Sequence, residues 1–321
     1  MAPSQGLDRR TFDPSAVDPD TEAFVADLEA RLATISPPQV AGIRAVREAA
    51  RSGQSFFGPV IHSDIAADRV INSPAGGLTL RVFTPPVVNG VYLHFHGGGW
   101  AQGASDLQDP RLERVARECE VAVISVDYRL APEHPYPAAP DDAETAAVWL
   151  ARNAGAEFGV DRLIIGGESA GAHLSAVALL RLRDRHGLAH AYCGANLLYG
   201  AYDLTLTPSV RAWGERYVVL SEPYINWCLD MFVGQDKRTD PDVSPLYADL
   251  AGLPPALFSV GTVDPLLDDT LFMHARWLVA GNEAEIAIHP GLPHAFPLMP
   301  IKASEAANDR CNEFIRRVVS R

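Results

Sequence analysis

Two periods divide the chain. Over residues 21–52 apolar positions recur at helical spacing. Phe24, Leu28, Leu32 and Ile35 share one face, Pro37-Pro38 interrupts it, and Ile43, Val46 and Ala50 resume it. From Asp68 the period falls to two. Residues 68–73 and 78–84 are predicted strands of a hairpin that turns at Pro74-Ala75-Gly76-Gly77. Apolar runs of strand length then follow at 91–95, 121–126, 163–165, 192–198, 256–260 and 285–288. Between them lie helical patterns at 107–119, 141–153, 172–182 and 269–280, with a last one at 304–319. Strands alternating with helices predict a mostly parallel sheet with right-handed crossovers. Residues 208–235 break the rhythm, being aromatic and mostly helical through Trp213, Tyr217, Tyr224, Trp227 and Phe232. Neither this stretch nor 21–52 has a sheet partner of its own.

The junction between 163–165 and 172–182 carries the first candidate chemistry. There Gly167-Glu168-Ser169-Ala170-Gly171 turns a strand directly into a helix. Such a turn strains its central residue, and only very small neighbours two positions away avoid a clash. Gly167 and Gly171 would therefore hold the Ser169 hydroxyl clear of the backbone, ready to attack a carbonyl. A glycine-rich turn with a capping serine would carry the same letters. The more specific motif is His96-Gly97-Gly98-Gly99-Trp100, after the strand at 91–95. Three glycines in a row let backbone N–H groups face open space, where they can hold an oxyanion. A phosphate-binding loop would require GxGxxG or a following Gly-Lys-Ser/Thr, and neither is present.

A serine nucleophile needs a base, and the base needs a carboxylate to orient it. Asp264 follows the strand at 256–260 and His294 the strand at 285–288. In a parallel sheet both loops fall at one edge, where open α/β sheets carry their active sites. Asp268 and Asp269 compete with Asp264, but they open the next helix, where carboxylates answer the helix dipole. His289 is expected to pack at its strand end, and His173 to face the core or a neighbouring loop.

Composition narrows the class. With 47% hydrophobic and 21% charged residues the chain is globular, and a net charge of −13 argues against nucleic acid or anionic membrane surfaces as partners. No run of apolar residues is long enough for a membrane span, and residues 1–10 lack the apolar core of a secretory signal. Cys119, Cys193, Cys228 and Cys311 are scattered without metal-ligand spacing. Reduced thiols, a cytoplasmic setting and no metal or other cofactor are expected.

Taken together, HGGGW, GESAG, Asp264-Pro265-Leu266-Leu267-Asp268 and His294-Ala295-Phe296 resemble the hormone-sensitive-lipase-like (bacterial family IV) carboxylesterases. So do Asp127-Tyr128-Arg129-Leu130-Ala131-Pro132-Glu133, Ser244-Pro245-Leu246 and Gly252-Leu253-Pro254-Pro255. The likeness runs from about Leu78 to the C-terminus. It implies an α/β-hydrolase fold, a mostly parallel eight-stranded sheet flanked by helices, with a helical cap. Residues 1–55 and 203–240 would form the cap over a catalytic domain of 56–202 and 241–321. By the same resemblance Ser169 is the nucleophile, His294 the base and Asp264 its partner. The backbone N–H groups of Gly98, Gly99 and Ala170 would be the oxyanion donors, and residues 128–133 would brace their loop. His96, Gly97, Gly167 and Gly171 would support the motifs. Glu168 departs from the family, which more often has Asp or Thr there, and acyl transfer assigns it no required role.

The implied activity is hydrolysis of short- to medium-chain acyl esters. Two alternatives stand beside it. Residues 167–174 and the HGG-x-Trp pattern also resemble arylformamidases, which hydrolyse amides. Gibberellin receptors resemble the family but lack the catalytic histidine that His294 supplies here. The apolar faces of the two extra segments must be buried, and the mouth of the serine cleft is the nearest unclaimed surface. Phe24, Leu28, Phe56, Phe57, Trp213 and Tyr217 are expected to line it, with Trp100 from the glycine loop. The strand at 284–288 would lie at a sheet edge, which leaves a homodimer open.

Overall fold

The structure, a computed structural model, describes residues 7–55, 57–188 and 190–321. Eight strands form one sheet in the order β1-β2-β4-β3-β5-β6-β7-β8. β1 (Ala66–Ser73) and β2 (Gly76–Phe83) make the antiparallel hairpin. Its turn is tighter than expected, because Ser73 already pairs with Gly76 and both glycines join the strand. β2 runs antiparallel to β4 (Val121–Val126). All later pairings, through β3 (Gly90–Phe95), β5 (Leu163–Glu168), β6 (Tyr192–Leu198), β7 (Ala256–Val263) and β8 (Ala284–Pro293), are parallel. The predicted α/β-hydrolase architecture is the observed one.

The central strands are continuous apolar runs because both faces of the sheet are covered. In β4, Ala122, Ile124 and Val126 join one core, while Val121 and Val123 join the other. β3 alternates likewise, with Val91, Leu93 and Phe95 on the first side and Tyr92 on the second. The first core is closed by α5 (Ala138–Phe158) and α6 (Ala170–His186), through Ala143, Ala147, Leu150, Leu174 and Leu179. The second is closed by α4 (Asp109–Cys119) and α10 (Lys302–Val319), through Leu112, Val115, Cys311, Phe314 and Ile315.

The helical pattern at 21–52 resolves into α1 (Pro19–Leu32), α2 (Pro38–Ala41) and α3 (Ile43–Arg51). The first of these belongs to the body of the domain and not, as expected, to a cap. Its residues Val25, Leu28 and Leu32 are buried in the second core, where Phe24 also packs. It lies against β8, the last strand of the sheet, and Gly291 of that strand leaves room for Val17 and Thr21 at the helix start. The aromatic stretch forms α7 (Pro208–Trp213) and α8 (Glu222–Phe232), and α9 (Leu267–Val279) follows β7. Among the described residues no helix is long and apolar enough to cross a membrane.

Candidate active site

β5 ends at Glu168 and α6 begins at Ala170, leaving Ser169 alone in the turn with φ 56° and ψ −118°. The Ser169 N–H donates to Leu198 O at 2.9 Å, which ties the turn to β6. A Cβ at Gly167 or at Gly171 would run into the carbonyl oxygen of Phe95. The two glycines are therefore required by the close approach of β3, as the motif predicted. They leave the serine standing at the N-terminus of α6.

β7 and β8 are parallel neighbours, so the residues that follow them emerge side by side. His294 Nδ1 donates to Asp264 Oδ2 at 2.8 Å, and both side chains are almost wholly buried. The other carboxylate oxygen, Oδ1, accepts the Leu266 N–H at 2.9 Å. With its Nδ1 proton committed, His294 keeps Nε2 as the basic nitrogen, and both it and Ser169 line one cleft. The ring of Tyr199, at φ 36°, packs against that of His294, with centroids 4.5 Å apart and planes tilted by 59°.

The rejected competitors have other partners. Asp269 accepts from Tyr202 N, Asp203 N and Thr207 Oγ1 at 2.7–2.9 Å. Asp268 accepts from Ser209 N at 2.8 Å. Both carboxylates thus root the segment leading into α7, a role with no sequence signal beyond their proximity to Asp264. His289 lies inside β8 with its ring 5.0 Å from Phe296.

The glycine loop after β3 follows backbone paths closed to most residues. Gly98 has φ 124° and Gly99 φ 58°. A Cβ on Gly98 would meet Gln102 O, and one on Gly99 would come within 2.7 Å of Cys228 Sγ. Trp100 also adopts a positive φ, 57°, and is fastened from several sides. Its indole N–H donates to His173 Nδ1 at 3.0 Å, and its ring stacks on Phe232 at 4.5 Å. His173 Nε2 in turn donates to Val243 O at 2.8 Å. Burial pushes the His173 pKa down to about 4, which keeps the ring neutral and able to accept from Trp100. Tyr128 and Ala131 brace the loop as expected: Tyr128 Oη donates to His96 O at 2.8 Å, and Ala131 N to Trp100 O at 2.9 Å. Sequence reading missed a further tie. Arg47 of α3 donates to Ala101 O and Ala131 O at 2.7 and 2.6 Å and pairs with Glu133.

The cleft holds about 550 Å³ and is largely apolar. Residues of α2, α3 and the following loop form one wall and residues 201–229 another, while Gly97–Gly99, Ser169 and His294 lie on the floor. Phe57, Tyr217 and Trp100 line it as expected. Phe24, Leu28 and Trp213 do not. Phe24 and Leu28 are claimed by the second core, and the indole of Trp213 donates to Leu220 O beneath the Arg216 guanidinium. Phe56 lies outside the described residues. The segment carrying Arg216 is tied to α1 by a pair with Glu29 at 2.9 Å.

The fold and the cleft describe an α/β hydrolase. A family model for the alpha/beta hydrolase fold matches residues 92–298. The chain is 36% identical over 257 residues to carboxylic ester hydrolase LipN of Mycobacterium tuberculosis, covering 76% of this chain and 67% of that protein. Among solved structures, a hyperthermophilic esterase from the archaeon Pyrobaculum calidifontis superposes with a TM-score of 0.84 at 28% identity, over 95% of this chain and 99% of that one. A hormone-sensitive lipase from a metagenome library superposes with a TM-score of 0.82 at 26% identity, covering 94% and 98%. The chain belongs to the α/β-hydrolase family, in its hormone-sensitive-lipase-like esterase branch.

Proposed function

We propose that this protein is a serine carboxylesterase acting on neutral esters of short- to medium-chain acids. The observation that carries the reading is the Asp264–His294 hydrogen bond of 2.8 Å in the same cleft as a strained Ser169 and a glycine loop. Relatives that hydrolyse carboxylic esters support it over amide hydrolysis and over a receptor without catalysis. As the Ser169 oxygen bonds to the ester carbon, its proton passes to His294 Nε2, and the carbonyl electron pair moves onto oxygen. Backbone N–H groups of Gly98, Gly99 and Ala170 receive that oxyanion. Its collapse breaks the C–O bond, and His294 returns the proton to the departing alkoxide. Water then repeats the sequence on the acyl-serine, releasing the acid.

In this reading α2, α3 and the loop after them act with residues 203–240 as a cap on the catalytic body, to which α1 belongs. Support comes from the two cleft walls they contribute and from the Arg216–Glu29 tie. The four free thiols fit a cytoplasmic setting. β8, at the sheet edge, is the surface on which two copies would pair, which light scattering against the 34.6 kDa chain tests. For the chemistry, Ser169→Ala should lose nearly all p-nitrophenyl butyrate hydrolysis while keeping its thermal midpoint. A fluorophosphonate should add mass to the Ser169 peptide; a label on any other peptide refutes the assignment.

A further inference from the structure

Glu168, which the ester chemistry leaves without a task, is the last residue before the nucleophile. Its side chain is 5% exposed, and the residue lines the cleft. It accepts from His94 Nε2 at 2.9 Å and from Arg111 Nη1 at 2.5 Å, and His94 Nδ1 meets Ser125 Oγ at 3.2 Å. Burial alone would raise the Glu168 pKa, but Arg111 and His94 overcome it and hold the group at about 2. An ion pair so deeply buried is a poor device for stability, since desolvation offsets much of its attraction. Here the stabilisation is incomplete as well, because Arg111 Nε finds no hydrogen-bond partner among the described residues.

We propose that Arg111 and Glu168 are positioning residues that set the electrostatic balance of acyl transfer. Arg111 cancels a carboxylate placed beside the nucleophile, so that the imidazolium formed at His294 is governed by Asp264. The proposal rests on the assignment of Ser169 and His294 above. The neighbours of the pair leave few other charges. Around Glu168 stand Tyr92 and His94 of β3, His96 and Tyr128 near the glycine loop, Tyr199 after β6 and Cys311 of α10. Burial raises the pKa of the tyrosines and of Cys311, and lowers that of His96 to about 4, so these are neutral in the working range. His294 itself is faced by Asp264 and Tyr199. Arg111 and Glu168 are therefore the charged pair beside the nucleophile, with His94 hydrogen-bonded to Glu168 and Asp264 to His294.

The signs follow. Glu168→Gln leaves a buried cation, which disfavours the imidazolium. The acid limb of kcat/KM should then move to lower pH by about one unit, and kcat should fall. Arg111→Gln leaves a buried anion and should move the limb up by a similar amount. The double variant Glu168→Gln/Arg111→Gln carries neither charge, and its limb should return to within about 0.3 unit of the wild type. KM for p-nitrophenyl acetate should change less than kcat in all three, because neither group needs to touch that substrate. If Arg111→Gln does not fold, Glu168→Gln and the double variant still differ only in the Arg111 charge, and their limbs must separate. Folded variants whose acid limbs all coincide with the wild type overturn the proposal. Fluorophosphonate labelling of Ser169 in the same preparations keeps the two readings apart: unlabelled wild-type Ser169 sinks the esterase assignment, whereas labelled enzymes with unmoved limbs sink only this inference.

Discussion

At the scale of single residues, the site depends on side chains whose hydrogen bonds leave one function free. His294 is the clearest case. Asp264 Oδ2 takes its Nδ1 proton, and Leu266 N–H occupies the other oxygen, so the carboxylate cannot rotate away. Replacing Asp264 by Asn substitutes a donor where His294 needs an acceptor and forces the wrong tautomer. Turnover should fall by about three to four orders of magnitude with little change in fold. A loss below tenfold in p-nitrophenyl butyrate assays would mean that the base takes its orientation elsewhere. That Ser169, Asp264 and His294 would stand at one edge of the sheet was legible in the sequence, because each sits where a strand ends and a motif begins. Tyr199, Arg47 and Arg111 were not. Each acts on a partner distant in sequence, as Arg47 does on Ala131 and Glu133, and a lone arginine or tyrosine in a chain carries no mark of what it will meet.

At the scale of elements, periodicity identified nearly every helix and strand but could not say which surface each apolar face would find. The face of α1 was expected over the cleft. It covers β8 instead, because an edge strand of a two-sided sheet leaves its second-core side open, and Val25, Leu28 and Leu32 close it. The work of narrowing the cleft falls to α2 and α3, whose cleft-facing residues include Ala41, Ala45, Val46 and Ala49. Small side chains there leave room for an acyl tail that bulky aromatics would have denied. Ala49→Leu should refill the space of about three methylenes, each worth about 0.8 kcal/mol of burial. The rate on p-nitrophenyl decanoate should drop tenfold or more, with the acetate rate held within about twofold. An unchanged decanoate-to-acetate ratio would show that the tail runs along the other wall. The loop after β7 presents a similar case. Asp268 and Asp269 could be placed at a helix start from sequence, yet their use in anchoring 202–209 depends on a fold that brings β6 and β7 together.

At the scale of the whole molecule, the protein's dependence on pH is set by which buried groups refuse a proton. His96, His173 and His289 are each pushed by burial to a pKa of about 4, from an ordinary value of 6.5. Their folded pKa is lowered, so between pH 6.5 and 4 the unfolded chain binds protons that the native state does not, and stability is lost as pH falls through that window. Asp269 opposes them. Burial raises its pKa to about 7, so the native state gains a proton there that the unfolded chain lacks until lower pH. Burial also lowers His274 and raises Asp127, and these two act against each other. Three histidines against one aspartate leave the unfolded chain binding more protons than the native state, so stability falls as pH falls through the window. Relief of the −13 net charge on approaching the pI of 5.2 acts the other way. That contribution lies on the surface and is screened at about 0.3 M salt, whereas the buried histidines are not. At that salt the thermal midpoint should fall by several degrees or more between pH 7.5 and pH 5, a range where surface carboxylates stay ionised. His289→Leu should flatten the dependence, because that ring lies inside β8 against Phe296 and its Nε2 has no partner among the described residues. A midpoint that is level or rising from pH 7.5 to 5, or a His289→Leu slope as steep as the wild type, would show that these histidines take up their protons without unfolding.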